Sequence, residues 1–297
     1  MNEPSLEPAA RMQADAAPGP FLSLCIPTFN RVDCLRDLLP RVHAELAAAG
    51  REGFDVELVI SDNASTDGTE AYVASVGIPG LRYGRNPTNV GADRNCLICI
   101  GCARGRYVWL FGDDELMQPG GLVRLLRVLR DTAPVLLELQ YGREDAQAGD
   151  PRLPVTYASY EACLRGELPT HPVFVEEHML LTANVFRRDA FDLPHARGLV
   201  WTNFSHLHGL LGALKQGGTV VVLDGVFCTR RVRARFSRWP FALCFKGALY
   251  FWNLGRMFPV PSLRAKRRRM VLQLTYQLPM EFLSRFLGLF SKRFGRI

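Results

Sequence analysis

Between Phe21 and Arg130 the chain alternates strand-like with helix-like segments, and that alternation leaves few architectures open. FLSLCIP (21–27) is an apolar run of strand length. VDCLRDLLPRVHAELAAAG (32–50) has the spacing of an amphipathic helix ending in a glycine, and VELVISD (56–62) returns to strand. After the turn NASTDGT come a short helix from Glu70, the small strand LRYGR (81–85) and the loop NPTNVGADRN. A helix then runs to about Gly101, RYVWLFG (106–112) reads as strand, and a further helix runs from Pro119 to about Arg130. Strand and helix in strict turn predict an α/β fold, a mostly parallel sheet with helices on both faces. In such sheets ligands bind beyond the carboxyl ends of the strands. PTFN (27–30), SDNASTDGT (61–69) and GDDE (112–115) all fall at that edge.

What arrives there is acidic. YVWLFGDDE ends an apolar stretch in Asp113, Asp114 and Glu115, and VELVISD ends in Asp62. Adjacent carboxylates repel one another unless a hard cation or a bound ligand offsets the charge, and oxygen-only ligands suit Mg²⁺ or Mn²⁺. The run therefore points to metal-assisted diphosphate chemistry, against the plainer reading of a polar turn closing a strand. No GxxxxGK[ST] or GxGxxG stretch opens any of the helices. This argues against a P-loop NTPase and against a nicotinamide dehydrogenase, and leaves metal and loops to hold a diphosphate.

SLCIPTFNR, SDNASTDGT, NVGADRN and GRYVWLFGDDE followed by PGGL, in that order, resemble the nucleotide-diphospho-sugar glycosyltransferases of the GT-A fold, specifically glycosyltransferase family 2. The resemblance covers residues 20–140 closely and loosens beyond. It implies a GT-A domain over 21–228, with a nucleotide-binding half (21–140) and an acceptor half (141–228). It also implies that Pro27, Phe29, Asn30, Asp62 and Asn89 hold the nucleotide sugar. Phe29 would offer a face for stacking, and Asp62 would accept a hydrogen bond from base or ribose. The family's metal motif is Asp-any-Asp, which places Gly112 at the first acid, Asp113 in the middle and Asp114 at the last. By that resemblance Asp114 touches a Mg²⁺ or Mn²⁺ ion, Asp113 meets the ribose or a bridging water, and Glu115 supports them from behind. The second half resembles bacterial transferases that add deoxy- or dideoxyhexoses to lipid-linked O-antigen repeats, such as abequosyltransferases.

Family 2 enzymes deprotonate the acceptor hydroxyl with an Asp in a Glu-Asp pair at the start of a later helix, and invert the anomeric centre. Here WTNFSHLHGLLGALKQGG (201–218) matches best, and it carries Ser205 and His206 at that place. A histidine has a suitable pKa for general base work near neutrality. His206 is the expected base; it reads equally as a packed or hydrogen-bonded residue. Glu176 and Glu177, with His178, are the reserves, just before the strand-like MLLTANVFRR.

The formal net charge of +7 is unevenly spread. Residues 226–297 hold 16 Lys and Arg and one acid, Glu281, while the preceding 225 residues are net acidic. Trp239, Phe241, Phe245, Tyr250, Phe251, Trp252 and Phe258 precede the cluster AKRRRM (265–270), and an apolar-faced segment follows. Interleaved aromatics and cations predict a basic amphipathic helical extension over 229–297 that lies on an anionic membrane surface. Lys246 and Arg256 interrupt the most apolar window, which falls short of the about 18 to 20 clean residues a spanning helix needs. An ordinary helical subdomain with a basic outer face is the competing reading. No recognised nucleic-acid module surrounds the charge, so no nucleic-acid partner is expected.

Cys96, Cys99 and Cys102 have the spacing that begins some iron–sulfur patterns, but no fourth cysteine follows at the usual interval. Three residues apart on a helix they read instead as a buried stripe. Residues 1–20 are Pro- and Ala-rich without an apolar core. They predict a disordered leader rather than a signal peptide, and so a cytoplasmic protein, peripheral on the inner face of the membrane. Two readings stand: a metal-dependent transferase using a nucleotide-sugar donor and a lipid-linked saccharide acceptor, and a nucleotide-sugar-binding scaffold whose altered Glu-Asp position has cost it catalysis, or a partner that recruits other enzymes.

Overall fold

The computed structural model describes residues 19–139, 154–165, 181–200, 202, 204–223 and 227–230. Glu176, Glu177, His178, most of the leader and nearly all of the basic extension lie outside them. The chain divides into two units, Met1–Ala234 and Arg235–Ile297, and every described residue belongs to the first.

Its elements in order are β1 (Leu22–Thr28), α1 (Val32–Arg51), β2 (Val56–Asp62), α2 (Thr69–Ser75), β3 (Leu81–Arg85), α3 (Ala92–Cys102), β4 (Tyr107–Leu110), β5 (Glu115–Met117), α4 (Gly121–Thr132), β6 (Leu136–Leu139), β7 (Val155–Tyr157), α5 (Tyr160–Arg165), β8 (Asn184–Arg187), α6 (Leu193–Arg197), α7 (Ser205–Gln216), β9 (Val220–Leu223) and β10 (Cys228–Arg230). Eight strands form one sheet in the order β3-β2-β1-β4-β8-β6-β9-β7, and β5 pairs with β10 apart from it. The run β3-β2-β1-β4 is parallel throughout, as is β6 with β9. β8 is inserted antiparallel between β4 and β6, and β7 closes the far edge antiparallel to β9. The sheet is thus mixed but mostly parallel.

Near-continuous apolar runs build the parallel strands because both faces are covered. Leu22, Leu24, Ile26, Leu58 and Ile60 join Leu35, Leu38, Leu39 and Val42 of α1 and Leu122, Leu125, Leu126 and Leu129 of α4 in one core. On α3 almost every residue is buried, including Cys96, Cys99 and Cys102. The cysteine stripe is packing: Cys99 donates to the Val59 carbonyl, Cys25 donates to the Cys99 carbonyl, and burial holds these α3 thiols well above their ordinary range. Glu45 of α1 accepts the N–H groups of Gly120 and Leu122, so α1 caps the start of α4.

The small departures from expectation have local causes. RYVWLFG leaves the sheet at Leu110, since the Phe111 N–H still reaches the Cys25 carbonyl but the Gly112 N–H turns to the Thr182 hydroxyl. MLLTANVFRR splits into a 3₁₀ turn, Leu181–Ala183, and then β8. The helix expected from Pro119 starts at Gly121, after Gly120 in the left-handed region.

Candidate functional site

Register brings the acidic positions together. Thr28 and Asp62 are partners at the ends of β1 and β2, and β4 runs parallel on the other side of β1. Beyond the end of β4 the chain delivers Asp113, whose Oδ2 accepts from the Thr28 hydroxyl at 2.8 Å. Its Oδ1 meets Arg31 Nη1 at 2.6 Å, and the same nitrogen lies 3.1 Å from Asp114 Oδ2. Asp113 is buried (5% exposed), whereas a third of the Asp114 side chain faces solvent. Burial pushes the Asp113 carboxyl above its ordinary range, against the pull of Arg31 and the Thr28 hydrogen bond. Burial also works against the Arg31 charge, but Asp113 and Asp114 hold the guanidinium pKa above its usual value.

Around this pair lie loops tied to one another by side chains. Phe29 is 40% exposed, an apolar ring left facing water at the sheet edge beside half-buried Pro27. Asn30 takes φ 50°, the left-handed region that an Asn tolerates. Its N–H donates to the Ser65 hydroxyl, and its Oδ1 accepts the Thr66 N–H. Asp62 is fully buried: Oδ1 accepts the Ser65 N–H, and Oδ2 accepts the Tyr83 hydroxyl at 2.6 Å. Burial and Asp62 raise the Tyr83 pKa, which keeps it a donor. Asn89 accepts from Asn63 at 2.7 Å and from the Gly91 N–H, and so shapes the loop leading into α3. Asn95 sits beneath, joined to Ser61 and Asn86.

Glu115 stands apart from the other two acids. It is buried, belongs to β5, and its register partner is Arg230 of β10. A Cβ on Gly112 would come 3.1–3.3 Å from the Glu115 side chain. The glycine at the first motif position therefore makes room for Glu115, and an Asp there would crowd a like charge.

α7 begins at Ser205 and His206, and both are buried. The helix packs hard on the preceding turn: a Cβ on Gly209 would enter the Phe191 ring at 2.1 Å, so only glycine allows this approach. Asp93 Oδ1, in the first turn of α3, accepts both the N–H and the hydroxyl of Ser205, at 3.1 and 2.7 Å. The structure thus brings Phe29, Asn30, Asp62, Asn89, Asp113 and Asp114 to one end of the sheet.

Thr28, Arg31, Asp67 and Asp93 were not singled out from the sequence. Thr28, Arg31 and Asp93 lie inside the quoted motifs PTFNR and NVGADRN, and Asp67, in SDNASTDGT, accepts the Val32 N–H at the start of α1.

Carboxylates of this kind are the donor set that Mg²⁺ or Mn²⁺ accepts, and such ions bind through one or two carboxylates plus substrate phosphates. Among the described residues no three His, Cys, Asp or Glu side chains gather to form a complete protein cage. Asp114, the more exposed of the pair, fits an ion whose remaining ligands would come from a diphosphate and water.

The fold has solved counterparts. A mannosyltransferase from Pyrobaculum calidifontis, PcManGT, solved with GDP-Man and Mn²⁺, superposes with a TM-score of 0.60 at 17% identity, over 94% of this chain and 78% of that one. S. aureus TarS (residues 1–349) superposes at 0.57 and 15% identity, over 92% and 75%. At such identities the likeness shows the fold, which is GT-A. In sequence, the abequosyltransferase RfbV of Salmonella typhimurium is 38% identical over 121 residues, 39% of this chain and 35% of that protein. The succinoglycan biosynthesis protein ExoO of Rhizobium meliloti is 27% identical over 161 residues, 54% and 43%. The matched stretches thus span less than half the length of these curated relatives. The profile described as Glycosyl transferase family 2 matches residues 23–188, more than half of the sequence. With the motifs, the fold and the acidic edge in agreement, the chain belongs to glycosyltransferase family 2.

Proposed function

We propose that this protein transfers a sugar from a nucleoside-diphosphate donor to an acceptor hydroxyl, with inversion, and that the acceptor is a lipid-linked intermediate of a cell-surface polysaccharide. The observation that carries the reading is the meeting of Asp113 and Asp114 with the end of β1, beside the exposed Phe29 ring. Phe29 and Pro27 bracket the base. Asn30 and Asn89 hold the loops around it, and Asp62 acts through the Ser65 turn that it organises. Asp113 faces the ribose, and Asp114, the more exposed acid, faces the diphosphate.

A divalent ion held by Asp114 and the diphosphate would neutralise the charge that develops on the leaving phosphate. His206 takes the acceptor proton as the acceptor oxygen attacks the anomeric carbon from the face opposite the departing phosphate, so one C–O bond forms while another breaks. Glu176 or Glu177 would take that role if His206 serves packing alone. The relatives support the substrate class: RfbV is an abequosyltransferase, and ExoO a succinoglycan biosynthesis protein. The count of 16 cations against one acid in residues 226–297 supports a peripheral place on the cytoplasmic face of an anionic membrane. Among the described residues no helix is long and apolar enough to cross one.

One observation favours a second reading. The first turn of α7 carries no acid, so a nucleotide-sugar-binding scaffold without transferase activity also fits. Radiolabelled UDP-, GDP-, CDP- and dTDP-sugars, incubated with the full chain, Mn²⁺ and lipid-linked acceptors, separate the two. Labelled lipid product with an inverted anomeric centre supports the enzyme. Nucleotide binding without product in any combination supports the scaffold.

A further inference from the structure

We infer that Arg31 is a resident cation of the acidic edge: it stands between Asp113 and Asp114 in place of a divalent ion until a nucleoside diphosphate arrives and draws the guanidinium onto its phosphates. The inference rests on the donor-binding reading above and goes beyond it, since it makes metal entry depend on the nucleotide.

The geometry is that of a shared ion. One nitrogen, Nη1, lies 2.6 Å from Asp113 Oδ1 and 3.1 Å from Asp114 Oδ2, between the carboxylates of successive residues. Two adjacent acids, one of them buried, repel unless a positive charge sits between them. An ion bound through Asp114 Oδ2 would have to take the place this nitrogen holds. Arg31 therefore lowers the affinity of the empty site for metal, and it spares the protein an uncompensated buried charge at Asp113 while no donor is bound.

The same residue is built to let go. Its backbone is pinned on both sides: Asn30 is fixed by Ser65 and Thr66, and the Val32 N–H is held by Asp67. Its side chain, by contrast, is 41% exposed and makes its ion pairs through the tip. When the tip turns outward, Asp113 keeps the Thr28 hydroxyl. A guanidinium is a planar fork that matches phosphate oxygens, so a diphosphate at this edge offers Arg31 a second anionic partner. Removal of the side chain should therefore act in opposite directions on the two ligands. Loss of a merely structural helix-start residue would weaken both.

The test is Mn²⁺ binding by the full chain, followed by the electron paramagnetic resonance signal of the free ion, alone and with UDP, GDP, CDP or dTDP. Wild type, Arg31→Gln, Arg31→Lys and Asp114→Asn are compared. Without nucleotide, Arg31→Gln should bind Mn²⁺ about tenfold more tightly than wild type, because a positive charge has left the ion's neighbourhood. Arg31→Lys, which restores that charge, should stay near wild type. In the presence of Mn²⁺, Arg31→Gln should bind the nucleotide about tenfold more weakly, for want of one charge-assisted contact. If wild type binds Mn²⁺ alone as tightly as Arg31→Gln, while Asp114→Asn weakens both, Arg31 does not compete; the inference falls and the proposed function stands. If no protein binds Mn²⁺ in any arm, with or without nucleotide, both are overturned.

Discussion

Asp93 and Ser205, 112 residues apart, are joined by two hydrogen bonds to a single carboxylate oxygen, one from the Ser205 N–H and one from its hydroxyl. The bond pair ties the first turn of α3 to the first turn of α7, where the candidate base His206 stands. An acid at a helix start satisfies an otherwise orphaned N–H and opposes the helix dipole favourably. Asp93→Ala should lower unfolding stability by about 1–2 kcal/mol, the cost typical of a lost cap, and Asp93→Asn, which can still accept, by less. Urea titrations of the two variants check the order. Equal losses would mean that the carboxylate acts by charge rather than as an acceptor.

Asp114 and Glu115 are neighbours in sequence with different tasks. Asp114→Ala should abolish metal-dependent nucleotide binding, since it removes the more exposed of the two adjacent acids that Arg31 bridges. Glu115→Ala, behind Gly112 and in β5, should cost at most about 10–100-fold, the range for a group that supports a ligand without touching the ion. Isothermal titration of nucleoside diphosphate in the presence of Mn²⁺ reads both. Unchanged binding in the Asp114 variant would discard its assignment.

His206→Ala should lower kcat by about 10²–10⁴-fold while leaving donor affinity as it is, because a base acts on the acceptor proton in the transition state. Steady-state kinetics beside equilibrium nucleotide binding separate the two effects. Full turnover in His206→Ala, with loss in Glu176→Gln or Glu177→Gln, would move the base to the earlier acids.

His208, two residues on and fully buried, has its pKa lowered to about 4 by burial and by neighbouring His195. A histidine whose folded pKa lies below its unfolded value leaves the unfolded chain binding more protons between the two, so stability falls with falling pH. The loss should begin near pH 6.5 and be complete near pH 4, where it reaches on the order of 3 kcal/mol. Urea midpoints from pH 7.5 to 4.5 should drop in wild type and drop less in His208→Gln. A matching drop in the variant would assign the pH dependence to other groups.

The parallel half of the fold was legible because short strand-like runs alternate with helix-like segments: VELVISD and the shorter, more polar LRYGR appear as β2 and β3 with the limits read from the sequence. Asp113 and Asp114 were legible for the same reason, as acids that follow an apolar strand. The antiparallel insertion of β8 was not, since four residues, NVFR, carry no sign of direction or of neighbour. Nor were the partners of the acids. Arg31 reaches them beside an Asn30 that turns into the left-handed region, and Asp93 meets Ser205 across 112 residues of sequence, only once α7 has packed on α3. These contacts are long-range consequences of packing, which local pattern does not encode. Gly112, a missing acid in the sequence, became intelligible through the Glu115 carboxyl that lies against it.

In the proposed function, the edge formed by β1, β2 and β4 holds a nucleoside diphosphate through Asp114 and a divalent ion. Thermal unfolding of wild type and Asp114→Asn with UDP, GDP, CDP or dTDP, each with and without Mn²⁺, tests it most directly. A ligand that binds only the folded chain adds about 2.7 kcal/mol of stability at a hundred times its Kd. At least one of the four should raise the Tm of wild type only when Mn²⁺ is present, and Asp114→Asn should lose that rise. No rise with any nucleotide and Mn²⁺, or the same rise in Asp114→Asn, would contradict it.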